Sequence, residues 1–569
     1  MNERRLKHWG WGYEDQALAP DALRATAAVV AEHLGLALGE LEQPVALADV
    51  ELPSPRVAPP PALAEICASD DHARASHALG KSYTDVVNGF RGRFAHPPDF
   101  VASPREESEI ERVLEWCERE GVATIPFGGG TSVVGGVTPD VPSSYNGAIS
   151  LDLRALDGVL EVDDVSLAAR IQAGASGPLL EQQLAEHGLT LRHFPQSFEY
   201  ATLGGWIATR AAGHFATGRT HIEDFVESVR AITPVGAWES RRLPGSGAGV
   251  SPDRMLAGSE GTLGVITEAW LRVQPRPQHR ASAGVLFSDW FAGADSVRVL
   301  AQSGLSPANC RLIDAREAAM TMAGDGSSAL LVLGFESTDH PVDQTLARGL
   351  EICAEHGGVV PERAGGAGSG SGANGGGGDA VGSWREAFLG APYARDVLVA
   401  MGVLAETFET AITWDRFARF HEQVKASGEQ ALREVCGEGG RVTARFTHVY
   451  ADGPAVYFTA IAPARRGEEV AQWAAVKRAV SDTILAEGGT ITHHHAVGRD
   501  HRPWYDEQRP DPFAAALAGA KAAVDPRAIM NPGVLIDALT RAAGDGRAVA
   551  AAGAADESSG EGPASVGGR

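Results

Sequence analysis

The spacing of apolar residues in the first half of the chain predicts alternating strands and helices. Across 110–117 the apolar side chains fall three and four residues apart, which places them on one buried face of a helix. Ser103 and Pro104 are typical of a helix N-cap and first residue, so we expect the helix to begin there. Gly121 is expected to end it in a left-handed conformation.

The same patterns predict further elements around this helix. Alternating or fully apolar runs predict strands, and amphipathic runs predict helices. The succession of strand, helix and strand places residues after 125 at the carboxyl end of a strand, where α/β proteins bind ligands. The predicted strands are 100–102, 122–125, 149–153 and 168–173, and the predicted helices are 21–38 (with Asp21 as N-cap), 176–188 and 207–213.

Three loops rich in glycine and hydroxyl residues border these strands. In 126–132, three consecutive glycines allow backbone N–H groups to form a concave patch suited to a pyrophosphate. An ordinary glycine turn is the alternative for this loop alone. Similar loops recur at 196–206 and 259–267, so the set favours an anion site, with Arg210 available to the anion. Neither the P-loop ending nor the GxGxxG pattern is present in 126–132.

Charge and cysteine content narrow the class of protein. The 569 residues carry 49 basic and 73 acidic side chains, a net charge of -24, which disfavours nucleic-acid binding. Five cysteines without CxxC spacing predict neither a disulfide framework nor a zinc site, and fit a reducing compartment. The first residues do not predict a secretory signal, and no run reaches the roughly 18 apolar residues of a transmembrane helix.

Residues with candidate chemistry lie in the second half of the chain. Three adjacent histidines, 493–495, would alternate between the two faces of an extended strand. They suit hydrogen bonding to an anion and proton transfer near neutral pH, with metal binding as the weaker alternative. Tyr457 lies in the strand-like run 455–460, where a core tyrosine is the alternative. Arg395 suits a carboxylate or phosphate, unless it pairs with Asp396.

Other segments carry weaker signals. Trp9 and Trp11 are expected to pack against the next domain rather than to face a membrane or a second copy. The proline-rich segment 52–61 predicts a linker or a surface strap. The segment 364–380, almost all glycine, alanine and serine, predicts a flexible loop that is either a lid or a plain insertion.

The glycine loops, with Asp525-Pro526 and 531–533, resemble the FAD-linked oxidase superfamily of the vanillyl-alcohol oxidase (PCMH) type. The resemblance implies an α+β fold in which a two-part FAD-binding domain is covered by an α+β cap domain. The implied parts are an N-terminal helical extension at 1–94, the FAD-binding PCMH-type domain at 95–276, the cap at 277–500, a C-terminal segment returning to the FAD domain at 501–540 and a disordered tail at 541–569.

Further segments are similar to motifs of the alkyldihydroxyacetonephosphate synthase family, which belongs to this superfamily. In the last of them, Ala496 stands where the family has glycine, which alters the turn. The segments are 9–13 (WGWGY), 80–85 (GKSYTD), 198–206 (FEYATLGGW), 394–396 (ARD), 406–410 (ETFET), 414–416 (WDR) and 493–498 (HHHAVG).

The superfamily resemblance also implies which residues bind FAD. Binding is expected to be non-covalent, because Thr131 stands where relatives with tethered FAD often carry histidine. The implied FAD-binding residues are Pro126, Phe127, Gly128, Gly129, Gly130, Thr131, Ser132, Gln196, Ser197, Phe198, Glu199, Tyr200, Ala201, Thr202, Thr209, Arg210, Ala211, Ala212, Glu260, Gly261, Thr262, Leu263, Gly264, Val265 and Ile266.

The synthase resemblance implies an enzyme of ether-lipid biosynthesis that replaces the acyl group of acyl-dihydroxyacetone phosphate with a fatty alcohol. Flavin N5 would bond substrate C1 and later release it, with no net redox change. Tyr457 would take a proton from C1, helped by imidazolium neighbours that favour phenolate. The implied catalytic residues are Tyr457, His493, His494, His495 and Arg395.

The partners implied are acyl-dihydroxyacetone phosphate, a long-chain fatty alcohol and a second copy of the chain, with neither metal nor nucleic acid. A cytoplasmic location is expected, with peripheral membrane contact through the N-terminal region. The second hypothesis is an FAD-dependent 2-hydroxy-acid dehydrogenase or oxidase, because the fold and Arg395 would serve both reactions. A non-catalytic flavin-binding role is the third.

Overall fold

The computed structural model describes residues 4–361 and 394–537, with the backbone of two further short strands at Leu539–Arg541 and Ala548–Ala550. The predicted flexible loop at 364–380 and the end of the predicted tail from 551 lie outside the described residues. The helices are Pro20–Leu34, Asp71–Ser76, Tyr83–Phe90, Glu107–Glu120, Gly177–Ala185, Leu203–Thr209, Pro252–Leu256, Trp290–Gln302, Ala315–Met320, Asp343–Glu355, residues 394–401, Trp414–Cys436, Glu469–Ala486, Arg502–Gln508 and Asp511–Val524.

The first sheet has four strands, and the helix Glu107–Glu120 buries its apolar face beside it. The helix ends at Gly121, whose φ is +66°, as the sequence predicts. Its predicted start at Ser103 is wrong, because the Ser103 N–H donates to the Ile66 carbonyl and the helix begins after Glu106. The strand order in this sheet is Cys67–Ala68, Val101–Ala102, Gly147–Asp152 and Val122–Phe127, with the last three parallel to one another.

The second sheet has five antiparallel strands, and the helix Leu203–Thr209 packs on it. This helix is predicted at 207–213 but lies about four residues earlier, because Arg210 adopts a left-handed conformation with φ of +52° and ends it. The strand order is Val159–Asp163, Ala168–Gln172, Val265–Arg272, Val226–Thr233 and Gly236–Glu239. A separate short pair joins Leu189–Thr190 to Gln274–Pro275.

The third sheet has six antiparallel strands and forms the wall of the site described below. The helices Trp414–Cys436 and Glu469–Ala486 cover one face, where a large apolar core is buried. The strand order is His279–Phe287, Ala329–Ser337, Asn309–Ile313, Arg441–Val449, Pro454–Pro463 and Val403–Ala411.

The C-terminal part of the described chain packs against the first sheet. Met530 bridges Thr124 in parallel, and the Thr124 N–H donates to the Ile529 carbonyl at 2.8 Å. The fully buried Lys521 ammonium donates to the carbonyls of Thr262 and Met530 and pairs with Asp525, each at 2.8–2.9 Å. The C-terminal segment is thereby tied to the third glycine loop.

The N-terminal region begins with a hairpin and a helix. The helix Pro20–Leu34 begins after Ala19, so the predicted N-cap at Asp21 is wrong, and Gly35 ends it four residues before the predicted end. Trp11 is buried and Trp9 meets the ring of Phe90 edge-on at 5.2 Å. Both tryptophans therefore pack against the protein, as expected. Among the described residues, no helix has the length and apolar content needed to cross a bilayer.

Candidate active site

One cavity of about 600 Å³ collects residues that range along the chain from Trp11 to His495. At one end lie the three glycine loops, and the inner wall carries Tyr457, Arg395, His494 and His495. The opposite end is apolar and reaches the N-terminal helix, with Leu34, Leu398 and Ile461 among its lining residues. The cavity therefore has a polar interior between a glycine-lined end and an apolar end.

The glycines of the first loop are required by contact with the second loop. A Cβ on Gly129 would lie 1.9 Å from the Tyr200 carbonyl oxygen, and one on Gly128 would lie 2.2 Å from Thr202 Oγ1. Gly130 has a φ of +64°, which L side chains rarely adopt. The two loops thus approach each other more closely than any side chain would permit, and the three glycines line the cavity end with no side chain over their backbone. This arrangement fits the pyrophosphate of a dinucleotide.

Most residues expected at the cofactor line this cavity. Glu260 also orders it, because its carboxylate accepts the Val497 and Gly498 N–H groups at 2.9 and 2.7 Å. Burial raises the pKa of Glu260 to about 7 although these bonds oppose the shift. The lining residues are Pro126, Phe127, Gly128, Gly129, Gly130, Thr131, Ser132, Gln196, Ser197, Ala201, Thr202, Thr209, Ala211, Ala212, Glu260, Gly261, Gly264 and Ile266.

Seven expected cofactor residues do not line the cavity. Arg210 pairs with Glu223 at 2.7 Å, so this guanidinium is directed away from an anion in the cavity. Phe198 stacks on Trp206 with ring centroids 6.4 Å apart, because its loop turns the side chain inward toward the apolar core. The other five residues outside the lining are Glu199, Tyr200, Thr262, Leu263 and Val265.

The histidine triplet is not in a strand, so its predicted alternation between two faces is wrong. Residues 493–495 form consecutive bends around the carboxylate of Glu409. That carboxylate, on the strand Val403–Ala411, accepts the N–H groups of all three histidines at 2.5–2.8 Å. A buried acid that satisfies three successive donors favours this bend over a strand ladder. Burial raises the pKa of Glu409 to about 7.

The three histidines are neutral near pH 7. Burial, with other positive or imidazole groups nearby, lowers the pKa of His493, His494 and His495 well below the ordinary value. The expected imidazolium neighbours of Tyr457 are therefore absent, and the correction follows from desolvation of the rings. Neutral imidazoles remain able to accept and to donate a proton.

Positive charge beside Tyr457 comes instead from Arg445. The guanidinium carbon lies 3.8 Å from the centre of the Tyr457 ring, on the neighbouring strand. Burial opposes the charge on Arg445, but Glu317 and Tyr457 outweigh it and raise the pKa of Arg445. The ring of His494 stacks over Tyr457 with centroids 6.3 Å apart. The phenol therefore lies between an arginine and an imidazole at the cavity wall.

Two arginines line the cavity near these groups. Arg395 donates through Nη1 to the Lys81 carbonyl at 2.8 Å, and Asp396 forms its ion pair with Lys7 rather than with Arg395. Arg311 is fully buried and donates to the His214 carbonyl at 2.7 Å. Burial lowers the pKa of Arg311 to about 9, so this group stays charged at neutral pH. Both guanidinium groups suit an anionic substrate.

A fourth histidine, His448, lies against two members of the triplet. Ring nitrogens of His448, His493 and His494 lie within 4.8 Å of one another. His448 Nε2 lies 2.8 Å from the Gly213 carbonyl, and His493 Nε2 lies 2.8 Å from the Tyr450 hydroxyl. Hydrogen bonds to protein groups hold these rings in place, and the arrangement suits a hydrogen-bonded relay.

Sequence reasoning missed Glu409, Arg445 and Arg311. Glu409 lies in the segment 406–410 (ETFET), which indicates the family but does not indicate what Glu409 does. Arg445 and Arg311 lie on strands of the third sheet with no local motif. Only the sheet order, which pairs the strands of Arg445 and Tyr457, brings these groups to one cavity.

The glycine loops, the third sheet and the cavity that both line define an FAD-linked oxidase. Two family models agree: one described as an FAD binding domain matches residues 98–240, and one described as FAD linked oxidases, C-terminal domain, matches 276–535. An alkyldihydroxyacetonephosphate synthase of Caenorhabditis elegans is 32% identical over 496 residues, which cover 81% of this chain and 79% of that protein. The chain belongs to the alkyldihydroxyacetonephosphate synthase family.

Structural similarity extends over nearly the whole chain. A solved alkyldihydroxyacetonephosphate synthase is 25% identical, with a TM-score of 0.73 and coverage of 92% of this chain and 98% of that one. A glycolate oxidase subunit of Bacillus subtilis is 25% identical and covers 77% of this chain and 88% of that protein. The α+β fold with FAD-binding and cap parts is therefore confirmed, as is FAD as the cofactor.

Proposed function

We propose that this enzyme exchanges the acyl group of acyl-dihydroxyacetone phosphate for a long-chain fatty alcohol, forming an ether-lipid precursor without net redox change. One observation carries the proposal: the polar wall of the cavity, with Arg311, Arg395 and Tyr457, continues directly into an apolar end. A substrate with a phosphate head and a long alkyl chain needs both surfaces in one site. A small hydroxy acid needs only the first.

The glycine-lined end would hold FAD, with residues 126–132 receiving its pyrophosphate, and the binding would be non-covalent because Thr131 offers no histidine for a tether. When bound, the flavin supplies the covalent trap for substrate C1. The protein supplies position and charge. Arg395 and Arg311 bind the anionic groups, and Tyr457 Oη takes a proton from C1 beside the Arg445 guanidinium, whose carbon lies 3.8 Å from the ring centre. Neutral His494 and its neighbours accept and return protons as the acid leaves and the alcohol enters.

The alkyl chain is proposed to lie between the N-terminal helix and the cap. Leu34, Leu398 and Ile461 form an apolar cluster there, and Val29 at the rim is 51% exposed. An apolar rim at the end of an alkyl channel suits peripheral contact with a lipid surface. We propose a cytoplasmic enzyme, active as a homodimer, that takes its lipid substrates from a membrane.

The test is incubation of the purified holoenzyme with palmitoyl-dihydroxyacetone phosphate and labelled hexadecanol, followed by lipid mass spectrometry. We expect labelled hexadecyl ether and free palmitate in equal amounts. The competing 2-hydroxy-acid reaction is tested by anaerobic incubation with a series of those acids. Bleaching of the flavin by one of these acids, together with the absence of labelled ether, would contradict the proposed exchange reaction.

A further inference from the structure

Three segments that lie far apart in the sequence meet beside Arg395. They are the N-terminal hairpin (residues 5–14), the segment 80–85 and the helical residues 394–401. The hairpin is closed by the pairing of Leu6 with Tyr13. Trp11 of the hairpin and Arg395 of the helical residues line the cavity, whereas the segment 80–85 contacts Arg395 from behind the lining.

Asp396, the residue after Arg395, takes its described hydrogen bonds from the hairpin, and the Lys81 ammonium adds positive charge nearby. Lys7 Nζ lies 3.1 Å from Asp396 Oδ2, and the Trp11 N–H donates to both carboxylate oxygens at 3.1 and 3.2 Å. Lys7 and Asp396 are 7% and 8% exposed, so the pair is shielded from solvent. Charge pairs at this depth interact more strongly than surface pairs.

The hairpin is built to approach this carboxylate closely. Gly10 has a φ of +60°, and a Cβ there would lie 2.6 Å from the Asp396 oxygens. Any side chain at this position would push the carboxylate away from the Trp11 N–H. Trp11 itself lines the cavity. The glycine of the motif therefore serves the contact with Asp396 and not merely the turn.

Arg395 is fixed from the other side by the segment 80–85. Its Nη1 donates to the Lys81 carbonyl, and the Lys81 N–H donates to the Ser132 carbonyl of the first glycine loop at 2.6 Å. A Cβ on Gly80 would lie 2.4 Å from that Ser132 oxygen. Arg395 is thus connected to the FAD loop through Lys81 and to the hairpin through Asp396.

We propose that Lys7 and Asp396 are positioning residues, which orient Arg395 by holding its helical turn against the hairpin, so that the N-terminal hairpin sets the affinity for the anionic head of the substrate. The inference rests on the proposed role of Arg395 in binding that group. Without Lys7, the Asp396 carboxylate stays buried but loses its ion-pair partner, so the helical turn that carries Arg395 is no longer held against the hairpin.

The experiment uses full-length holoenzyme carrying Lys7→Met, Asp396→Asn, Arg395→Met or the double change Lys7→Met with Arg395→Met. For Lys7→Met we expect KM for palmitoyl-dihydroxyacetone phosphate, and Kd for dihydroxyacetone phosphate by calorimetry, to rise about tenfold, as for loss of one partner of a buried pair. The value of kcat and the FAD content should change much less. In the Arg395→Met background, Lys7→Met should add nothing, because two residues acting through one step are not additive.

Arg4→Met is the matched control, since Arg4 pairs with Asp15 at 2.9 Å directly beyond the two ends of the hairpin, with side chains 49% and 60% exposed. It should leave KM and Kd within about twofold, as exposed pairs contribute little. An unchanged KM in Lys7→Met, an equal effect of Arg4→Met, or a full additional loss in the Arg395→Met background would overturn the inference. Loss of FAD or of folding in both Lys7→Met and Asp396→Asn would also overturn it, as a purely structural role.

Failure of the proposed function would look different. If wild-type enzyme made no labelled ether, the exchange reaction would be excluded, whereas the calorimetric comparison with dihydroxyacetone phosphate would still test the hairpin.

Discussion

At the scale of single residues, the chemistry depends on groups whose charge is set by burial. Glu409 is the clearest case, because one carboxylate with a side chain 1% exposed accepts three successive N–H groups and so shapes the histidine triplet. The triplet in turn is neutral, so the charge that acts on Tyr457 is that of Arg445. Roles assigned from residue type alone, such as imidazolium beside phenol, fail when desolvation is strong.

Glu409→Gln should change how stability depends on pH. The pKa of Glu409 is about 7 in the fold and 4.5 in the ordinary state, so between these values the folded protein holds a proton that the unfolded chain releases. The favourable contribution of this proton to the free energy of unfolding is fully present below pH 4.5 and is lost as pH rises through 7. Relative to that of wild type, the free energy of unfolding of Glu409→Gln should therefore increase by about 3 kcal/mol between pH 5 and pH 8. Urea unfolding at several pH values measures it.

The control for this series is Glu422→Gln, which removes an exposed carboxylate from a cap helix. Its stability should follow that of wild type at every pH. A stability difference between Glu409→Gln and wild type that stays constant from pH 5 to pH 8 would contradict the raised pKa.

Tyr457→Phe should separate catalysis from cofactor binding. Removing the hydroxyl leaves the ring packed between Arg445 and His494, so FAD content and stability should hold. Exchange of the alkyl group should fall about a hundredfold or more, as for loss of a proton-transfer group. Tyr145→Phe, whose hydroxyl donates to the Ala528 carbonyl elsewhere, is the control. An equal loss of exchange activity in both variants would contradict a proton-transfer role for Tyr457.

At the scale of elements, local patterns predicted the strands and the buried helix faces well. The face of Glu107–Glu120 and its end at Gly121 follow from apolar spacing and glycine conformation, which are local properties. The predicted start of that helix is wrong because the Ser103 N–H bonds the Ile66 carbonyl. The predicted strand at the histidine triplet is wrong because Glu409 accepts the N–H groups that a strand ladder would use. Long-range partners decide these cases, and a sequence pattern does not contain them.

The predicted site divides along the same line. Loops recognised by glycine spacing do line the cavity, whereas Arg210 inside one of them is taken by Glu223. Arg311 and Arg445 carry no local motif and enter the site only through strand order. The division of the chain into domains and the individual roles of site residues stay predictions.

Gly129→Ala tests the close approach of the first two loops. The added methyl would lie 1.9 Å from the Tyr200 carbonyl, so the loops must separate and the concave N–H patch should be lost. We expect FAD content, read from the flavin absorbance of the purified protein, to fall to a small fraction of wild type. Gly245→Ala adds the same methyl in an exposed loop with nothing within 4 Å and should keep full FAD content. Full FAD content in Gly129→Ala would contradict the proposal that the close approach of the two loops is needed to bind FAD.

At the scale of the whole molecule, both ends of the described chain close on the cavity. The hairpin reaches Asp396 from one side, and Asn531 donates through Nδ2 to the carbonyls of Gly136 and Glu260 from the other. The helix Pro20–Leu34 then extends the apolar end beyond the cap. Sites assembled from distant parts of a chain form only when folding is complete, which couples cofactor and substrate binding to global stability.

The length of the apolar end should set which alcohols are accepted. Ala405 lies in this end with Leu34 and Ile461, on a strand that begins at Val403. Replacing it by Val, Leu and Phe fills the space in steps while adding only apolar volume. We expect kcat/KM for hexadecanol to fall by at least about tenfold in Ala405→Phe, because each excluded CH₂ forfeits its burial. Octanol, which needs less of the channel, should be affected far less.

The ratio of the two kcat/KM values should therefore decrease with side-chain volume across the Ala405 series, while FAD content stays constant. A ratio that does not change, with both alcohols impaired equally, would mean that the alkyl chain does not run past Ala405. The channel would then have to leave the polar interior elsewhere, and the apolar rim at Val29 would lose its proposed link to a lipid surface. Because the ratio cancels effects on expression and on flavin loading, it tests the path of the chain independently of the chemistry at Tyr457.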